Sequence, residues 1–326
     1  MEPGVAFSAA PFLREIGRGK GGSRGLSRER AGELMQAIVQ GHISPLALGG
    51  VLIALRMKGE EAAELAGFLD ALEPELQRVP AVAPGWVVLP SYNGARAAAN
   101  LLPLLALLLA RAGIPVLVHG QASEPQRPGV AARVTSADIF AALGVPGCAA
   151  PAEAPARAAA GWPALLDLSA LSPALARLVA LRPQMGVRNV AHTLAKLIVP
   201  VQGPSLLVTS YTHPVFGELQ AELFRTAGTH AMSLRGTDGE AVMGARRAPR
   251  LDYWFAGTCT VVSEAQDVAQ AGLQLPAPDA AATAAWTRAV LAGALPAPSA
   301  LERQVQLIAA ALRFPGAVHP GAAQHA

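Results

Sequence analysis

Cysteine is almost missing from this chain: Cys148 and Cys259 are the only two in 326 residues, and they lie far apart. That spacing excludes a disulfide framework and the cysteine-based zinc signatures, and both thiols read as small buried hydrophobes. Lysine is nearly as scarce, with Lys20, Lys58 and Lys196 alone, so arginine carries the basic charge. Aromatic residues make up only 5% of the chain, and most of these are needed for a core. A long apolar run is lacking too. The most hydrophobic stretch, Leu101 to Ala110, contains Pro103 and stops at Arg111, well short of the ~20 residues that span a bilayer. No membrane span is therefore expected despite a mean hydropathy of +0.34. The N-terminal basic cluster follows a short apolar stretch instead of preceding it, against the layout of a secretory signal; a cytoplasmic protein is expected.

What is present suits a sizeable core, since 52% of residues are hydrophobic. The formal net charge is only +3, so its placement matters more than its sum. Arg14 to Arg30 reads REIGRGKGGSRGLSRER and gathers Arg14, Arg18, Lys20, Arg24, Arg28 and Arg30 against Glu15 and Glu29. Its glycines point to a flexible middle. Ser27 is placed to cap a following helix. Leu34, Ile38 and Val39 form one helical stripe, and Leu46, Leu48, Val51, Leu52 and Leu55 form the next, which Ser44 caps with Pro45 at its first position. Arg56 and Lys58 at its end suit the helix dipole. Glu60 to Leu72 reads as a third helix. This makes a small all-helical unit.

The texture changes beyond Pro80. Trp86 to Pro90 reads as a short buried strand that enters the turn Ser91-Tyr92-Asn93-Gly94-Ala95-Arg96, and a helix follows through Ala110. Gly113 ends it, and Val116 to Gly120 is a second strand, with His119 near its end read as a satisfied polar residue. Strand, turn, helix, strand makes a βαβ unit and predicts a mostly parallel sheet. Gln121 to Val134 reads as a long polar loop, Ser136 to Leu143 as a helix, and 147–163 as loosely structured Ala/Pro-rich chain. Helices are expected over Leu171–Ala180, Val187–Ile198 and Val215–Ala227. Strands are expected at Leu206–Thr209 and Ala231–Leu234, with Leu251–Val262 as an antiparallel edge. Late helices at Trp286–Leu291 and Glu302–Leu312 precede a tail that reads as mobile. His213 is placed to cap a helix, and Arg246, Arg247 and Arg250 form a small loop cluster.

Several of these strings occur in a familiar order. Ser136 to Gly144 (SADIFAALG) after a strand ending His119-Gly120, Gly186-Val187-Arg188-Asn189 running to Pro200, Thr212-His213-Pro214 to Gly228, and Arg235-Gly236-Thr237-Asp238-Gly239 together resemble the anthranilate phosphoribosyltransferase family over about residues 14 to 265. The resemblance implies a discontinuous helical domain, residues 1–75 plus about 165–200, which family members use to form homodimers. It also implies a larger α/β domain, 80–164 plus 201–326, with a mostly parallel central sheet of the nucleoside phosphorylase/phosphoribosyltransferase type.

Three motifs of those enzymes are missing. Where the family has Gly-Thr-Gly-Gly-Asp, a glycine turn whose amides approach pyrophosphate, this chain has Ser91-Tyr92-Asn93-Gly94-Ala95. Lys-His-Gly-Asn-Arg survives only as Val118-His119-Gly120-Gln121-Ala122. The magnesium-holding Asp-Glu pair has no counterpart near Glu240-Ala241-Val242-Met243. Arg182 stands where the enzymes keep an aromatic-acid-binding arginine, so Tyr92, Asn93, Gly94, His119 and Arg182 are the expected remnant of a substrate pocket. Magnesium and phosphoribosyl diphosphate are expected only if the chain is a transferase of altered specificity. Otherwise no cofactor or metal is expected.

The departures resemble more closely a DNA-binding, non-catalytic bacterial branch of the family. Residues 14–20 (REIGRGK), 48–56 (LGGVLIALR), 90–96 (PSYNGAR) and 186–197 (GVRNVAHTLAKL) carry that resemblance, which implies sequence-independent binding of DNA or RNA. The residues fit. Arg188, His192 and Lys196 fall at i, i+4 and i+8 and would line one face of a helix whose Val187, Val190, Leu194 and Leu197 turn to the core. Asn189 and Thr193 adjoin the stripe, and no acidic residue lies between Ser169 and Glu218. Arg18, Lys20 and Arg24 offer a second phosphate-binding element. Arg96, expected to open a helix where positive charge is unfavourable, points to a functional role, and Tyr92 is a candidate to stack on a base. No base-reading module is present, and a small-molecule sensor built on Arg182 and His119 stays open as a third possibility.

Overall fold

The computed structural model describes residues 7–19, 21–121, 133–236, 238–268 and 270–318. The chain divides into two compact units: Met1–Gln77 with Leu171–Ile198, and Arg78–Ala170 with Val199–Ala326.

The first unit is all-helical. The helices Arg28–Val39 and Ala62–Leu72 make its main packing contact. Gly67 is required there, because a Cβ would sit about 2.0 Å from the Arg28 carbonyl oxygen. Ser27 caps the first helix and Ser44 caps Pro45–Lys58, as the sequence indicates. Lys58 does more than complement a dipole. Its ammonium lies 2.8 Å from Glu64, a carboxylate with no solvent exposure that also accepts the Leu26 and Glu61 N–H groups. The ammonium and two backbone donors on one buried acid make this a satisfied internal charge.

Two features of this unit add to the sequence reading, and one expectation fails. The basic N-terminal segment begins as a helix, Ala10–Ile16, because Phe12 and Ile16 bury an apolar edge that the arginine-rich reading passes over. Arg28 and Arg30 are paired within the unit, with Asp70 at 2.6 Å and Glu15 at 3.2 Å, and Arg30 also lies over the Phe12 ring. Leu46, expected in a core stripe, is 89% exposed.

The second unit holds a seven-stranded sheet in the order β3-β2-β1-β4-β5-β7-β8. The strands are β1 Trp86–Ser91, β2 Val116–Gly120, β3 Ala164–Asp167, β4 Ser205–Tyr211, β5 Ala231–Arg235, β6 Arg247–Ala248, β7 Leu251–Phe255, β8 Thr258–Ser263 and β9 Gln266–Asp267. The first five are parallel, β7 and β8 form an antiparallel hairpin at one edge, and β6 pairs with β9 apart from the main sheet. β1 is buried along its whole length, as a central parallel strand covered on both faces must be. The apolar run becomes the helix Leu102–Arg111, which packs against Ser299–Arg313 within the core. No helix among the described residues is long and apolar enough to cross a membrane.

Local errors here have local causes. Residues 147–163 are not loose: Pro151–Glu153 and Ala154–Ala159 are helical. The short edge strand β3 follows them, unmarked by any alternation. Arg96 opens no helix, since the chain stays irregular until Leu102. Cys148 is buried but Cys259 is exposed, on the edge strand β8. His213 occupies a cap position without a side-chain cap bond. Lys20 and most of the polar loop after Gln121 lie outside the described residues, as does the tail beyond Val318.

Candidate functional site

The turn after β1 carries the first set of predicted residues. Gly94 has φ +61°, and its added Cβ would press on the Val134 carbonyl, so the turn requires glycine there. Its amides converge as in an anion-binding loop, but the chain fills them itself. Glu240 Oε1 accepts the Asn93 N–H at 2.9 Å and the Gly94 N–H at 2.7 Å. Asp238 Oδ2 accepts the Arg96 N–H at 2.9 Å and the Ala97 N–H at 3.1 Å. Burial alone would raise the Asp238 carboxyl, but those backbone donors and the nearby Arg133 charge hold it below the usual range. The Asn93 side chain donates to the Gly239 carbonyl at 3.1 Å, and Ser210 Oγ reaches the same oxygen at 2.8 Å.

A magnesium-diphosphate group does not fit this arrangement. The amides that would meet phosphate oxygens are taken, and both nearby carboxylates are held by backbone donors. Among the described residues no group of three or more His, Cys, Asp or Glu is gathered to hold a metal. Sequence reasoning missed the role of Asp238 and Glu240. Their signal was the Arg235-to-Glu240 string itself, which carries two acids close after a strand.

Tyr92 and His119 form a pair beside this turn. The Tyr92 hydroxyl lies 2.7 Å from His119 Nδ1. Burial, with the Asp167 charge, raises the Tyr92 pKa well above its ordinary value, so the phenol keeps its proton and donates. Burial pushes His119 down to about 3, so it is neutral and carries its proton on Nε2, which has no hydrogen-bond partner among the described residues. The expectation of a satisfied histidine is half met. Tyr92, tied to this pair, is poorly suited to a stacking role.

The second set lies in the helical unit, and its expected helix is absent. Only Ala191–Leu194 is helical. Gly186 in the left-handed region ends the turn Arg182–Met185. Asn189 then competes for the backbone: its Oδ1 accepts the Ala191 N–H at 3.0 Å and its Nδ2 donates to the Leu178 carbonyl at 2.9 Å. Beyond Leu194 the winding tightens, with Lys196 and Leu197 N–H bonded three residues back. The i, i+4, i+8 stripe therefore does not form. Asn189 is buried and engaged, so it is a turn-former and not a phosphate donor. Val190, Leu194 and Leu197 are buried as expected, but Val187 is 40% exposed.

Charge nonetheless converges here. His192 is pushed down to about 4, by burial first and then by the positive charges of Arg188, Arg182 and Arg56. It is neutral at physiological pH and adds no cation. Arg56, expected only to complement a helix dipole, joins Arg182 and Arg188 in this cluster. Lys196 is half-buried in the turn that follows. Arg18 and Arg24 are exposed on the N-terminal segment, with Arg18 Nε bonded to the Arg14 carbonyl at 2.8 Å.

Comparison with known proteins places this geometry. The helical bundle domain of a glycosyl transferase family matches residues 10–73. The uncharacterized protein YbiB of Escherichia coli (strain K12) is 39% identical over 297 residues, which cover 90% of this chain and 91% of that one. The anthranilate phosphoribosyltransferase of Leifsonia xyli subsp. xyli is 28% identical over 274 residues, 82% of this chain and 76% of the enzyme. Among solved structures, anthranilate phosphoribosyltransferase from Thermus thermophilus superposes with a TM-score of 0.69 at 24% identity, covering 92% of this chain and 89% of that one. The Saccharomyces cerevisiae enzyme, solved with PRPP and Mg, gives 0.67 at 14% identity over 97% of this chain and 92% of its own. The fold expected from sequence, a helical domain with a larger, mostly parallel α/β domain, is the fold of these neighbours.

Proposed function

The chain belongs to the family of the Escherichia coli protein YbiB, and from that premise we propose that it binds DNA or RNA without regard to sequence, as a homodimer, and transfers no phosphoribosyl group. The observation that carries the proposal is that the charges of Arg188, Arg182 and Arg56 all act on His192, which burial first keeps neutral. Such a cluster binds phosphates by charge and geometry, and phosphate contacts supply most of sequence-independent affinity. Lys196, Arg18 and Arg24 extend the basic surface of the same unit.

The filled amides of the turn after β1 support the negative half of the proposal. Transfer of a phosphoribosyl group requires stabilisation of a departing pyrophosphate, and the Glu240 and Asp238 carboxyl oxygens occupy the amides that would have acted. Pairing of two copies rests on the helix Pro45–Lys58. Leu46, Ile53 and Met57 are 89%, 40% and 80% exposed at i, i+7 and i+11, with Gly49 and Gly50 between them. An apolar stripe with small residues at its middle suits close helix packing with a second copy.

The test is binding of a labelled single strand across a salt series, with magnesium-dependent binding of phosphoribosyl diphosphate measured beside it. The proposal expects affinity that falls steeply with salt and no retention of the donor. Absence of strand binding at low salt, together with donor binding, would replace it by a transferase of altered specificity.

A further inference from the structure

A cavity of about 580 Å³ opens at the carboxyl ends of β1, β2 and β3, entirely within the α/β unit. Ligands of open parallel sheets bind in that crevice, and the volume falls within the range of small-molecule sites. Small residues keep it open. Ala137 and Ala141, one helical turn apart on Ser136–Leu143, line it together with Gly144 and Gly147. Larger side chains at the first two would fill it.

The chemistry of the lining selects a ligand. Val118, Phe140, Leu165 and Leu166 make its walls apolar, which holds water poorly and favours a flat hydrophobic body. The polar groups are few, and no Lys, Arg or His is among the described residues that line it, so among these no cationic side chain is placed to meet a phosphate or a carboxylate. Asp167 supplies an acceptor, fixed by the Ser169 N–H at 2.8 Å and the Ser169 hydroxyl at 2.6 Å. Ser136 supplies a donor. Its Oγ already accepts the Ser91 hydroxyl at 2.8 Å and the Asn100 amide at 3.1 Å, which leaves its own hydrogen for a further acceptor. A buried donor and a more exposed acceptor in the lining of an apolar slot complement a ring nitrogen and an exocyclic amine.

We infer that this cavity binds an uncharged amino-heteroaromatic molecule of the nucleobase class. The inference does not rest on the basic cluster of the helical unit, and the base arrives either as a free molecule or as part of a strand.

The experiment uses 2-aminopurine, whose fluorescence reports its surroundings, as the free base and as a single substitution in a short strand. The full-length protein is compared with Ala141→Trp and Asp167→Asn, each checked for an unchanged melting temperature. The free base is expected to bind the native protein, to bind about tenfold more weakly to Asp167→Asn, and to be lost in Ala141→Trp. A response of the strand alone, lost in Ala141→Trp, supports the cavity and identifies the source as a strand. The inference is overturned if neither form responds, if Ala141→Trp responds like the native protein, or if anthranilate displaces the base as well as adenine does.

Discussion

Two turns in this molecule arrange their backbone amides and charges in opposite ways. The turn after β1 aims four backbone N–H groups at a common region and then gives them to Glu240 and Asp238. The segment from Arg182 to Lys196 has no organised set of amides, yet three arginines converge on His192. The first is pre-organised but already occupied. The second holds its backbone bonds inward, through Asn189, and gathers positive charge around His192. An amide cradle fits a single phosphate at a fixed distance, whereas guanidinium groups on long side chains follow a phosphate chain of variable path. The contrast teaches that one fold can fill a backbone amide cradle with its own carboxylates in one unit while gathering arginine charge in the other.

The comparison breaks first at Glu240. In Glu240→Ala the Asn93 and Gly94 N–H groups lose their acceptor in a buried site, at a cost of about 1–3 kcal/mol each. A loss of unfolding free energy of that order, read as a lower urea midpoint at unchanged m-value, is expected, larger than in Glu240→Gln, which keeps one acceptor oxygen. An unchanged midpoint in the alanine variant would mean that the turn is not held by its carboxylates.

Acid sharpens the comparison, because each turn has its own buried histidine. His119 and His192 are held at about 3 and about 4, both by burial first. The unfolded chain protonates them near pH 6.5, while the native protein stays neutral. Stability is therefore full above that value and is lost as pH falls, at about 1.4 kcal/mol per unit for each histidine. The loss from His192 stops growing near pH 4 and that from His119 near pH 3. Thermal melts between pH 7 and pH 4 are expected to show His119→Gln and His192→Gln each reducing the slope. Equal slopes in the native protein and both variants would remove the histidines from the account.

Much of the architecture was legible because parallel strands read as continuous apolar runs and helix caps as Ser27 and Ser44. β3 was not legible: Ala164-Leu165-Leu166-Asp167 is short and follows Ala/Pro-rich chain, so no period marks it. The stripe over Arg188, His192 and Lys196 was legible as spacing but wrong as structure. Spacing assumes a helix, and Asn189 with Gly186 and the β-branched residues around them stop one from forming. The least legible feature was the filled cradle. Nothing in a linear pattern links Asn93 and Gly94 to an acid 146 or more residues away.

The basic cluster is tested by smaller changes. Arg188→Ala is expected to weaken single-strand binding about fivefold and, if it removes one phosphate contact, to make the slope of log K against log salt shallower by about 0.7. Arg182→Ala should behave alike. A mutant that loses affinity at unchanged slope would show that the arginine shapes the turn without meeting phosphate.

The smallest effect is expected from Arg18 and Arg24, and it decides how far the basic surface extends. Both are exposed, and the segment that carries them is anchored by the helix Ala10–Ile16 and by the Arg24 N–H on the Glu15 carbonyl at 3.0 Å. Their side chains have freedom to lose on binding, which offsets much of a surface contact. Replacing both with alanine should cost about twofold in affinity, with melting temperature unchanged, and should add to the Arg188→Ala effect if the sites act independently. If the double replacement instead abolishes binding, the N-terminal segment is the main phosphate contact. The arginines around His192 would then serve to hold that histidine neutral and not to track a strand.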